Sequence, residues 1–92
     1  MKNETMANNM EEWMDMVSSF AEENGGYIEK QPGHWYSALV LPKTFKDPVK
    51  AINDLFQDNG ITMVKALFIG YINDPSVHSD MKTVFFKLMP TD

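Results

Sequence analysis

The chain has 92 residues, 43% apolar and 23% charged, the composition of one globular domain and not of a disordered segment. It contains no cysteine, which excludes disulfides and thiolate metal sites and points to a reducing cytoplasm. Net charge is −5 and all eight basic residues are lysine. Arginine is the usual bidentate reader of phosphate and guanine, so its absence argues against direct nucleic-acid binding, although an A/T-rich coding sequence would deplete it too.

The charge is unevenly placed. Residues 1–29 carry seven acids against Lys2, and the remainder carries six acids against seven lysines, so the net negative charge lies entirely at the N-terminal end. The first residues are polar where a secretory signal needs an apolar core, and no run approaches the ~18 apolar residues of a membrane span. A cytoplasmic protein without membrane contact is expected.

Residues 1–5 read as a flexible N-terminus. From Met6 to about Asn24, apolar residues recur at Met6, Met10, Trp13, Val17 and Phe20, the spacing of an amphipathic helix. Asn24, Gly25 and Gly26 stop it, because glycine takes the left-handed conformation that a helix end requires. A short strand over 27–31 and a second over 34–41 follow, joined through Pro32 and Gly33. Asp47 and Pro48 announce a second helix, an N-cap and a first-turn proline, running to Asp58 with Val49, Ile52, Leu55 and Phe56 inward. Residues 61–72 are apolar on both alternating sets apart from Thr62 and Lys65, which predicts a central strand. A final strand over 81–89 ends at Pro90. The order is α-β-β-α-β-β, an α+β domain over residues 1–92 with a four-stranded antiparallel sheet and both helices on one face.

"SSFAEENGGYI" at 18–28 and "NDLFQDNGITM" at 53–63 share an aromatic, acids and Asn-Gly ahead of a strand. With so few matching positions, common helix-end chemistry accounts for this better than a duplication does.

Catalytic chemistry finds little support. His78, Ser79 and Asp80 are adjacent, but triad groups converge from separate parts of a fold. The loop NDPSVHSD reads as a polar hairpin connection built on Asp74 and Pro75. No phosphate-binding glycine loop, nucleophile elbow or HExxH is present, and no cofactor is expected. Met6, Met10 and Met14 share the apolar stripe, where methionine packs, and Met16 lies off it, which spoils a thioether site for copper.

The acids of the first helix are the strongest candidates. At 100° per residue, Glu4, Glu11, Asp15 and Glu22 fall within about 40° of one another, with Glu12 and Glu23 beside them, opposite the Trp13 and Val17 stripe. Their axial spacings of ~6 and ~10 Å lie within reach of the phosphate spacing of a nucleic-acid strand. Such a ridge serves either as a solvated, solubilising face or as a contact for a protein with a basic surface. Trp35 and Tyr36 are candidate apolar anchors at an interface. An uncovered sheet face would also suit a homodimer, the alternative to charge-based binding.

No family motif is present. In profile, small, cysteine-free, acidic and without catalytic apparatus, the chain resembles the proteins with which phages and mobile elements block nucleic-acid-binding defence enzymes, among them anti-CRISPR and antirestriction proteins. That resemblance implies a non-enzymatic inhibitor that occupies a basic groove, with the mimicry local to the first helix.

Overall fold

The computed structural model describes the backbone of residues 2–30, 33, 36–72 and 80–91, and their side chains from residue 9 onward. The elements are α1 (Lys2–Glu23), β1 (Tyr27–Lys30), β2 (Ser37–Pro42), α2 (Pro48–Asp58), β3 (Val64–Ile72) and β4 (Met81–Pro90). They form the expected α+β arrangement, with one antiparallel sheet in the order β1-β2-β4-β3. Helix α1 begins one turn before Met6, at Lys2.

Both helices pack on one face of the sheet. Trp13, Val17 and Ala21 of α1 and Ile52 and Phe56 of α2 bury against Leu39, Leu41, Phe86 and Leu88. Each of the Val, Leu, Ile and Phe side chains contributes roughly 1.5–3 kcal/mol when withdrawn from water. Phe86 is fully buried here while its neighbour Phe85 points to the other face, as strand alternation requires.

The two helices stop by the same device. Gly25 and Gly60 both have positive φ (84° and 72°). Gly26 N–H donates to Ala21 O at 2.8 Å and Ile61 N–H to Phe56 O at 2.9 Å, the six-to-one bond of a Schellman motif in each case. Asn24 and Asn59 each add a side-chain bond of 2.8 Å to the carbonyl four residues back, Phe20 and Leu55. The resemblance between 18–28 and 53–63 is therefore accounted for by helix-end chemistry. Ile61 is consumed in that stop, so β3 starts at Val64 and not at 61.

Three further details depart from expectation. The strand 61–72 was expected at the centre of the sheet; β3 is instead an edge strand, because β2 and β4 pair with each other and push it outward. Its apolar residues on both faces are accordingly exposed: Leu67 40%, Phe68 52%, Tyr71 67% and Ile72 49%. Asp47 precedes α2 as expected and its carbonyl accepts the N–H of Ala51 at 3.0 Å, but its backbone is left-handed (φ 47°) and its side chain makes no capping bond. A short polar residue tolerates that region better than most. Finally, β2 begins at Ser37; His34 and Trp35, which the expected strand included, lie outside the described residues.

The outer edge of β3 is plugged at one point. Asn53 of α2 donates from Nδ2 to Ala66 O (3.1 Å), and its Oδ1 accepts the Ala66 N–H (2.8 Å). The side-chain amide thus takes the place of a neighbouring strand where α2 crosses the edge.

Candidate partner-binding surface

Helix α1 turns Trp13, Val17 and Ala21 inward, and 3.6-residue periodicity then fixes the direction of its acids. Glu11, Glu12, Asp15, Glu22 and Glu23 are all exposed. Among the described residues none of the five forms a salt bridge, whereas on α2 Lys50 Nζ pairs with Asp54 Oδ2 at 2.9 Å. Glu4 belongs to α1, and its side chain lies outside the described residues.

This charge is costly where it stands. Glu11 and Asp15 are four residues apart on one face, a like-charge pair that destabilises a helix by ~0.2–0.5 kcal/mol. Glu22 and Glu23 occupy the last turn, which contains no basic residue, so they face the negative end of the helix dipole. Among the described residues no salt bridge compensates any of them.

Next to the ridge, α1 and α2 enclose a shallow groove of about 410 Å³. Met16, Phe20 and Leu55 supply its apolar lining, and Glu12, Asp15 and Glu23 stand along one side. Met16, off the main stripe, fills the space between the helices and packs against the core. Leu55, expected among the core residues of α2, is half-buried and lines this groove. The combination of apolar floor and acidic rim emerges only when the helices are placed side by side.

Tyr36 lies elsewhere. Its ring meets Phe85 edge-on, with centroids 5.3 Å apart, on the sheet face opposite the helices. The acids and Tyr36 are therefore not brought together, and one flat partner surface cannot touch both. Trp35 lies outside the described residues, as do residues 73–79 with His78.

A second depression, of about 460 Å³, lies over the far end of the sheet where α2 begins, between Val49, Phe68, Tyr71 and Val84. Lys82, on its margin, donates from Nζ to the carbonyl of Phe45. Among the described residues no three His, Asp or Glu side chains converge as a metal-ligand set, and no helix is long and apolar enough to cross a membrane. Comparison with protein-family models, with curated proteins and with solved structures finds no match for the chain.

Proposed function

We propose that this chain is a non-enzymatic protein-binding module whose α1 ridge occupies a basic, nucleic-acid-binding groove of a partner protein and so competes with the nucleic acid, in the manner of phage-type inhibitors of defence enzymes. The observation that supports the reading is the set of five exposed, unpaired carboxylates on one helix, two of them against the helix dipole. Uncompensated charge of this kind weakens an isolated helix, and a cationic partner would recover that cost. Charge complementarity speeds encounter, while apolar contact in the neighbouring groove at Met16, Phe20 and Leu55 lengthens residence.

The test is affinity capture from the cytoplasm in which the chain is made, using wild type and a Glu11→Lys, Asp15→Lys, Glu22→Lys triple variant, each checked for an unchanged circular dichroism spectrum. The expected result is a nucleic-acid-binding protein released from wild type by 1 M salt, absent from the variant, and displaced when DNA or RNA is added. Equal capture by both forms, or capture unaffected by nucleic acid, would overturn the reading.

A further inference from the structure

The outer edge of β3 is guarded at one end and open at the other. Of the exposed large apolar side chains among the described residues, Leu67, Phe68, Tyr71 and Ile72 fall within six positions of this one strand. Sheet edges are ordinarily blunted by charge, proline, a bulge or a cover, because a row of unpaired N–H and C=O groups is a template for another strand. Lys65 and the Asn53 amide give such protection at 65 and 66. Residues 67–72 contain neither charge nor proline, and there the edge carries the bulge between Phe68 and Gly70.

The hydrogen-bond phase of that stretch follows from its partners on β4. Ala66, opposite Leu88, turns its N–H and C=O away from β4 and toward Asn53. Bonded and non-bonded pairs alternate along an antiparallel ladder. Phe86 and Val84 stand two and four places from Leu88, in the same phase, so Phe68 and Tyr71 opposite them also turn their N–H and C=O outward. The extra residue of the bulge supplies the odd spacing between the two. Both side chains share the helix side with Phe86 and Val84, while Leu67, Gly70 and Ile72 lie on the other side.

We infer that this edge joins two copies of the chain, β3 beside β3 in antiparallel register about a two-fold axis perpendicular to the sheet, with Phe68 of each copy opposite Tyr71 of the other. Three conditions select the register. Outward-pointing residues must pair with outward-pointing ones, faces must match, and no pair can include Ala66, whose groups Asn53 already holds. Phe68 on Phe68 would bring Ala66 into the ladder, and Tyr71 on Tyr71 would leave Leu67 and Phe68 without a partner in 67–72. Phe68 on Tyr71 pairs all six residues. It also sets Leu67 against Ile72 on the opposite face, and Ile69 against Gly70, where an added side-chain atom would meet nothing within 4 Å.

The match is reciprocal, as a two-fold contact requires: the four residues that this stretch leaves exposed become one another's partners. That self-complementarity names a second copy, and not an unrelated strand, as the occupant. Phe68 and Tyr71 also line the depression beside Val49, so the aromatic pairs form where apolar surface already stands open on the helix side. Six paired residues span ~20 Å. Two copies then bury on the order of 800 Å², short of the ~1,200 Å² at which standard interfaces begin, so the dimer is weak and reversible. Helix α1 packs against β1 and β2 and α2 against β3, which keeps the acidic ridge outside the contact.

Sedimentation equilibrium of the full chain from about 10 μM to about 1 mM tests the assembly: the mean mass should climb from 10.5 kDa toward twice that value. Phe68→Lys with Tyr71→Lys, both at exposed positions, should hold it at 10.5 kDa with an unchanged circular dichroism spectrum, since edge lysines oppose strand addition. Cysteines read the register, because the chain has none of its own. Across the axis Leu67 and Ile72 form a non-bonded pair, the closer kind, with Cα atoms ~4.5 Å apart and within reach of a disulfide. Within one copy they lie ~16 Å apart along the strand. Under oxidation Leu67→Cys with Ile72→Cys should give a covalent dimer, and each single variant should stay monomeric. Three results would overturn the inference: a mass fixed at 10.5 kDa up to about 1 mM, which leaves the edge to a strand of another protein; a dimer that survives the two lysines; or disulfide dimers as abundant from the single variants as from the double.

Discussion

The two faces of the sheet are made from alternate residues of the same four strands, yet they meet different fates. On one, Leu39, Leu41, Phe86 and Leu88 are sealed beneath two helices. On the other, Val40 and Ala38 at the centre are also buried, Phe85 leans on Tyr36, and Tyr27, Leu67 and Ile72 toward the edges remain 40–49% exposed. The difference teaches that apolar patterning alone does not tell a covered face from an uncovered one. What distinguishes them is which side the helix crossings take, and on the other side it is the edge strands that keep apolar residues exposed.

The largest expected effect breaks the covered face. Phe86→Ala should cost about 3–5 kcal/mol, read from urea unfolding. Phe85→Ala under the same conditions should lose chiefly its edge-on pairing with Tyr36, about 0.5–1.5 kcal/mol. Equal losses would mean that both faces are core within one copy, and the contrast would fail.

Two glycines sharpen the contrast next. A Cβ on Gly26, where α1 enters the sheet, would collide with the carbonyl oxygen of Val40, so Gly26→Ala should destabilise by about 1–3 kcal/mol or more. Gly70, paired with Phe85 on the open side, has nothing within 4 Å of such an atom and no positive φ. Gly70→Ala should stay within about 0.5 kcal/mol of wild type.

Asn53→Ala should cost about 1–3 kcal/mol, because it leaves the part-buried N–H and C=O of Ala66 without partners. Hydrogen exchange should report faster exchange at the Ala66 amide. Protection unchanged from wild type would remove Asn53 from its role at the edge of β3.

The smallest effect concerns the exposed Lys50–Asp54 pair. Asp54 raises the Lys50 pKa, by hydrogen bond first and by charge second. A raised lysine pKa gives stability that is present at neutral pH and lost as pH climbs through the folded-state value, above the ordinary lysine range. Asp54→Asn should therefore flatten only the alkaline limb of a stability-against-pH curve.

Much of the fold was legible in the residues themselves. Asp47-Pro48 and Asn59-Gly60 bracket α2 as the structure does, since capping chemistry is local. The position of β3 was not legible: apolar residues on both alternating sets describe a strand's composition, while its place in the sheet follows from the β2 to β4 pairing, a non-local choice. The ridge of Glu11, Asp15 and Glu22 follows from helical periodicity alone. The apolar groove beside it does not, because Leu55 joins Met16 and Phe20 only through the packing of α2 against α1. Tyr36 reads from the sequence only as an apolar anchor at an interface, and strand alternation in the assembled sheet is what shows that it faces away from the acids.

The most direct test of the account's central claim, that the outer face of α1 is a charge-reading contact, is the salt dependence of affinity for the captured partner. Binding should weaken steeply as salt rises from about 0.05 to 0.5 M, and the dependence should flatten in the Glu11→Lys, Asp15→Lys, Glu22→Lys variant. An affinity indifferent to salt, or one with the same slope in wild type and variant, would contradict it.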